Sequence, residues 1–339
     1  MIRPQPDVVV LGAGVSGLTT AVCLAEQGCA VAVRAHRPPA RTTSAVAGAI
    51  WGPVMVDHER VHDWSMWTHR ELTRLAGRPH SGVRLVHGVE AARTVIEPPE
   101  WATEMASYER CAPDDLPAGF HSGWQYTAPV INMPAYLRYL VRRLITAGGT
   151  LAFGDVVTSL GELAGAAPIV VNCAGLGARE LVGDDRIAPV RGQLVVVDNP
   201  GIDRFFVEYT EVHGDMTYFL PQGDHVILGG SAEPGRADPE PDPRVSTEII
   251  ARCAAIVPAL GRARVREQRV GVRPSRHQVR VEYVEVAGVP VIHNYGHGGA
   301  GVSLSWGCAR DVAEIVHDLR GATVSSASAG RSPRRASPA

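Results

Sequence analysis

At 339 residues the chain has the length of one large domain or two interleaved ones, with ample surface to bury, which excludes a small scaffold held by cross-links. Its 33 Lys+Arg against 35 Asp+Glu give a net charge of −2, so no excess of positive charge draws it to nucleic acid or to an anionic membrane. The cysteines (Cys23, Cys29, Cys111, Cys173, Cys253, Cys308) form no CxxC pair and no zinc-spaced cluster, and read as buried thiols of a reducing compartment. The first segment has only Arg3 as a basic flank, and glycines interrupt its apolar run. It therefore reads as neither a signal peptide nor a membrane span.

Residues 8–11 are a continuous apolar run, which predicts a strand buried on both faces of a parallel sheet. From 15 to 27 the pattern turns helical, with Val15, Leu18, Ala21, Val22 and Ala25 on one side and Gly28 at the end. A second strand follows at 29–34, completing a β-turn-α-β unit. Amphipathic helices are expected at 58–75 and 134–147, the second with Pro134 at its start. The segments 193–197, 205–209, 217–220, 225–228 and 279–284 carry β-branched or alternating residues between Gly, Asp and Pro turns. They predict a separate antiparallel layer. Residues 168–171 predict another buried strand, and 289–293 a further one, followed by a Gly-rich turn at 295–301 and a helix over 302–317. From Ser325 onward Ser, Pro, Arg and Ala without apolar period predict a disordered tail.

The turn Gly12-Ala13-Gly14-Val15-Ser16-Gly17 has the G-x-G-x-x-G pattern between strand and helix. The first glycine permits the turn, the second lets backbone approach a pyrophosphate, and the third brings helix against strand, while the helix N-terminus offers N–H donors. A purely structural turn is the competing reading. NAD, NADP and FAD all stay open at this point, because the second strand ends in Arg34-Ala35-His36-Arg37 without the ribose-binding carboxylate.

Four further segments decide among them: Arg41-Thr42-Thr43-Ser44-Ala45-Val46-Ala47-Gly48-Ala49-Ile50-Trp51; Val171-Asn172-Cys173-Ala174-Gly175 continuing to Pro189-Val190-Arg191-Gly192-Gln193; Gly271-Val272-Arg273-Pro274-Ser275-Arg276; and His293-Asn294-Tyr295-Gly296-His297-Gly298-Gly299-Ala300-Gly301 running into Trp306-Gly307-Cys308. With the glycine turn, they resemble the D-amino-acid oxidase family of FAD flavoproteins over nearly the whole chain. The resemblance implies an α/β + α+β fold, in which a Rossmann-like FAD-binding domain (1–75, 148–190 and 286–322) carries an interleaved substrate domain on a mostly antiparallel sheet (76–147 and 191–285). The tail would be 323–339. It also implies that Gly12, Ala13, Gly14, Val15, Ser16 and Gly17 face the pyrophosphate of FAD, and that Arg37, Thr42, Thr43 and Ser44 lie along the nucleotide. Ala47, Gly48, Ala49 and Ile50 would approach the isoalloxazine and Val157 the adenine. Cys173, Ala174, Gly175, Gly298, Gly299, Gly301, Val302 and Ser303 complete the implied cofactor site, with Arg273 on both the cofactor and the substrate side.

By the same resemblance Arg273 holds the substrate carboxylate, the Tyr218 hydroxyl assists it, and the Gly299 carbonyl accepts from the amine. The implied reaction is hydride transfer from Cα of a D-amino acid to flavin N5; the imino acid hydrolyses to a 2-oxo acid and ammonia, and O₂ becomes hydrogen peroxide. No histidine is needed as base and no metal is expected. His293 and His297 read as hydrogen-bonded side chains. Ala300 and the Gly52, Pro53, Val54 stretch are smaller than the family's usual residues, which predicts room for bulky neutral side chains. Glu208, Glu211, His213 and Asp215 give the 207–216 segment an acidic character unsuited to D-Asp or D-Glu, although Arg204, Arg276 and Arg280 remain candidate counter-charges. The rival readings are an acidic D-amino-acid oxidase, a glycine or sarcosine oxidase and, more distantly, a nicotinamide-dependent dehydrogenase. The expected partners are the D-amino acid and O₂, without nucleic acid or membrane and with a homodimer left open. The terminus Ser337-Pro338-Ala339 lacks a peroxisomal signal, so a cytoplasmic enzyme is expected.

Overall fold

The computed structural model describes residues 5–53, 56–154, 156–210, 214–286 and 288–329, with side chains described through Gly321 on the last helix. Five parallel strands stand in the order Thr150–Phe153, Val31–Ala35, Val8–Leu11, Ile169–Asn172 and Val289–His297, the last four where strands are expected and Thr150–Phe153 where none is. Val8–Leu11 is buried on both faces, as the centre of a covered parallel sheet must be. The antiparallel strands are not a separate layer. The 22-residue strand Val265–Val286 pairs with Ala188–Asp198 along its first half and with Val289–His297 along its second, with a register shift between Ser275 and Arg280. Among the described residues fifteen strands therefore make one sheet. Arg266, Glu267, Gln268 and Arg269 hide that strand's first half from any apolar pattern.

Beyond this strand the sheet continues through His225–Gly229, Tyr218–Pro221, Phe205–Tyr209, Val83–Ala92 and Ser122–Ile131 to Ala49–Ile50. Alternation sorts its two faces. Val195, Val197, Phe206, Phe219, Val226 and Leu228 face the helix Pro243–Ile256, where Ile249 and Cys253 cover them. Leu194, Val196, Phe205, Val207, Tyr218 and Ile227 lie on the opposite face, which belongs to the same apolar cluster as Ala49 and Ile50. That face roofs the loop at 47–52.

The helix Gly301–Ala329 packs against both Val15–Glu26 and Val61–Ala76. It passes the expected tail boundary and remains helical to Ala329: alanine favours the helix and no proline intervenes before Pro333. The rest of the expected tail, 330–339, lies outside the described residues. Among the described residues no helix is long and apolar enough to cross a membrane.

Close contact with Val61–Ala76 fixes how this last helix leaves its N-terminal turn. Thr68 Oγ1 accepts from the backbone N–H of Trp306 at 3.1 Å and of Gly307 at 3.0 Å, and a Cβ at Gly307 would overlap the backbone of Trp64. Gly307→Val should therefore destabilise the protein by about 3 kcal/mol through overpacking. A thermal melt read by circular dichroism tests this; an unchanged midpoint would contradict the close-approach argument.

Candidate active site

The site is assembled where the two halves of the sheet meet. Gly12 sits at φ +104, and a Cβ there would overlap the Cys173 carbonyl. Only glycine fits such a turn. A Cβ at Gly17 would overlap Gly12 O, so helix Val15–Glu26 lies directly on the first strand. Gly14 differs: its Cβ would meet only Ser44 Oγ, at 3.1 Å. Val15 N–H donates to that same Ser44 Oγ at 3.0 Å, and the helix has no acidic residue in its first turn. The helix dipole and its N-terminal donors thus face an uncrowded, anion-receptive cradle, which fits the pyrophosphate of a dinucleotide.

The remaining cofactor-side residues divide. Thr42 Oγ1 donates to Pro39 O at 2.7 Å and Thr43 Oγ1 to Val272 O at 3.0 Å, so these hydroxyls tie the 42–50 loop down. Arg37 is exposed, and Val157 is half-buried with the cluster of Val9, Leu11 and Leu160. Burial pushes the Cys173 thiol up to about 12, leaving it inert beside the turn. Ala174 N–H donates to Asn172 Oδ1 at 3.1 Å, and Gly175 approaches the Pro274 ring.

Two loops are pinned together on the other side. Gly52 N–H donates to Ser303 Oγ at 3.1 Å, Gly298 N–H to Pro274 O at 3.0 Å, and a Cβ at Gly301 would stand 4.0 Å from Val15 Cγ1. The C-terminal turn therefore reaches the start of the N-terminal helix. Gly48 meets the roof: a Cβ there would stand 3.0 Å from Ile227 Cγ2 and 3.1 Å from the Tyr218 hydroxyl.

Arg273, opposite Val190 in the long strand, runs beside Gly299, whose Cβ would stand 3.8 Å from Arg273 Cδ. Its guanidinium lies over Gly192, where a Cβ would overlap Nη1. Nη1 donates to Ser231 O at 3.1 Å. Among the described residues no carboxylate pairs with it, so four of its five donors are left for something else. Burial raises the Tyr218 phenol above its ordinary value while the nearby Arg273 charge pulls it down; at neutral pH it remains a donor. The Tyr218 ring lies on Gly229, where a Cβ would overlap it. Gly229 and Ser231 are not singled out in the sequence, and Gly192 enters there only as part of a motif segment without a role. Their signal is the pairing itself, Gly192 opposite Gly271 and Gly229 opposite Tyr218.

The family model described as FAD dependent oxidoreductase matches residues 7–315. The chain belongs to this FAD-dependent oxidoreductase family. It is 46% identical to a D-amino-acid oxidase of Rubrobacter xylanophilus over 93% of this chain and 97% of that protein. It is 45% identical to a D-amino-acid oxidase of Streptomyces coelicolor over 91% and 96%. Among solved structures, a glycine oxidase from Geobacillus kaustophilus superimposes with a TM-score of 0.77 at 19% identity, over 92% of this chain and 95% of that one.

Within this FAD-dependent family, several expectations about individual side chains change. Ala300 does not widen the site: it is buried with Trp64, Val279, Leu304 and Cys308. Gly52 does leave room, since its Cβ would meet nothing within 4 Å, and Val54 lies outside the described residues. Arg276 and Arg280 pair with Asp184 at 3.1 and 3.5 Å, and exposed Arg204 donates to Gln125 Oε1 at 2.7 Å. Of the acidic segment, Glu208 is matched by Arg93 at 2.5 Å and Asp215 by Arg252 at 3.4 Å, while Glu211 and His213 lie outside the described residues. His293 Nδ1 stands 3.4 Å from Asn172 Nδ2, but His297 Nε2 is buried without a partner among the described residues. Burial lowers both imidazoles to about 4, aided at His293 by Arg280, so both are neutral. Among the described residues no group of three metal-ligating side chains converges.

The cradle at Gly14 makes a direct prediction. Gly14→Val should fill the space needed by the pyrophosphate, and the purified variant should emerge colourless. Fully flavinated yellow variant protein would contradict the cradle.

Proposed function

We propose that this enzyme oxidises D-amino acids, with Arg273 as the carboxylate anchor. One observation carries the reading: a guanidinium with no described carboxylate partner, set over Gly192 and beside Gly299 and near a phenol that stays protonated. The two D-amino-acid oxidases that the chain resembles over most of its length support it. In this reading the FAD-holding segments are 1–75, 148–190 and 286–322, and 76–147 with 191–285 close over the substrate.

A planar guanidinium grips a carboxylate through two parallel bonds, which sets orientation as well as position. The Tyr218 hydroxyl donates a further bond to the carboxylate, and the Gly299 carbonyl accepts from the amine. Two protein anchors on neighbouring substituents fix the side to which the single Cα hydrogen points, so which enantiomer reacts follows from alignment. FAD, when bound, supplies the two-electron acceptor. The amine reacts in its neutral form, so no side chain serves as base; neutral His293 and His297 have no assigned step. The imino acid hydrolyses to a 2-oxo acid and ammonia, and O₂ takes up the electrons as hydrogen peroxide.

We place neutral side chains, including bulky ones, in the pocket. Val207, Tyr218 and Ile227 wall it with apolar groups, Gly52 leaves space, and Arg204, Arg276 and Arg280 are engaged elsewhere. An acidic substrate would need one of those charges free. The cytoplasmic setting remains part of the proposal, and all six cysteines are unbridged.

Arg273→Ala should retain FAD yet lose about 3 kcal/mol of transition-state stabilisation in kcat/KM, the scale of a lost charged bidentate contact. Gly192→Ala should displace the guanidinium and cost on the order of tenfold. Wild-type rates in either flavinated variant would remove the anchor assignment. A panel of D-Met, D-Leu, D-Phe, D-Ala, D-Asp and sarcosine tests the pocket: bulky neutral substrates should lead, and a large advantage for D-Ala, D-Asp or sarcosine would overturn that reading.

A further inference from the structure

The face of the roof that carries Tyr218 also holds a buried carboxylate, Glu90, that the reaction does not use. Glu90 lies opposite Trp124 on one neighbouring strand and Val207 on the other, and Val207 lies opposite Tyr218. Cross-strand partners share a face. Glu90, Val207 and Tyr218 thus form a row across three strands, roughly 10 Å from end to end at the usual strand spacing. A side chain as long as that of glutamine or methionine reaches along such a row.

Glu90 is 2% exposed. Its Oε2 accepts from Trp124 Nε1 at 3.1 Å and from the Tyr126 hydroxyl at 3.0 Å. Among the described residues nothing donates to Oε1, and no cation pairs with the carboxyl. Burial raises its pKa to about 7 against the pull of the Tyr126 and Trp124 bonds. If Glu90 served only to brace those two aromatic side chains, a single oxygen would suffice. Oε1 has no donor among the described residues, yet it is not one of the side-chain atoms closed off without a partner, so it borders space that a ligand donor can enter.

We propose that Glu90 is the far end of the substrate side-chain pocket, its Oε1 accepting the terminal N–H of a long, neutral D-amino acid of the glutamine type. This rests on the D-amino-acid reading and makes the pocket apolar along its walls and polar at its end.

The test compares D-glutamine with the γ-methyl ester of D-glutamate, which has similar length and a carbonyl but no N–H. The wild-type enzyme should favour D-glutamine about tenfold in kcat/KM. Glu90→Leu should lower the D-glutamine to D-methionine ratio about tenfold, while Glu90→Gln, whose amide oxygen still accepts, keeps that ratio. Equal wild-type rates for amide and ester would overturn the proposal, and need no folded variant. So would a Glu90→Leu protein in which D-glutamine and D-methionine fall together, since that result assigns Glu90 to support of the fold. Failure of the wild-type enzyme on D-methionine and every other D-amino acid instead sinks the parent reading.

Discussion

The placement of one guanidinium governs the geometry of this site. Arg273 is seated by absences: glycine at 192 leaves clearance for its head, glycine at 299 leaves clearance along its stem, and Ser231 supplies only a carbonyl. A planar cation of this kind, close to a buried phenol and with no described anionic partner, is expensive to maintain unless a ligand completes it. The same clearance makes the site receptive to an incoming carboxylate.

That sheet explains why the anchor can be held so firmly. Val265–Val286 belongs to the antiparallel roof through Ala188–Asp198 and to the parallel floor through Val289–His297. Arg273 lies just before the register shift where the strand changes partners. Its backbone is therefore fixed to the roof while its neighbour Pro274 accepts the Gly298 N–H of the C-terminal turn. Substrate anchor, glycine turn and helix N-terminus share one rigid frame, which suits a reaction that depends on alignment.

Periodicity made the parallel floor readable. Val8–Leu11, the glycine turn and the helix after it follow from an apolar run and a change to helical spacing, and Ile169–Asn172 and Val289–His297 begin as plainly. The roof was less readable because its strands face two different environments. Val83–Ala92 and Ser122–Ile131 carry Glu90, Gln125 and Thr127 among apolar residues, so neither strand shows a clean period. The helix Pro243–Ile256 did carry a start signal: Asp242 caps it by accepting from Arg244 N–H at 2.8 Å, with Pro243 in the first turn. It falls between the expected strands at 225–228 and 279–284, where no element is expected from the sequence. Motif resemblance pointed to Arg273, Tyr218 and Gly299, which the structure brings close together. What it could not supply were contacts made only by folding: the glycines under Arg273 and Tyr218, the engagement of Arg276 and Arg280 by Asp184, and the burial of Ala300 away from the site.

The most direct test of the anchor removes the carboxylate from the ligand and leaves the protein intact. Oxidation of D-methionine should exceed that of D-methioninamide, which keeps the amine, the Cα hydrogen and the side chain, by on the order of 100-fold in kcat/KM. Comparable rates for acid and amide would mean that Arg273 does not align the substrate.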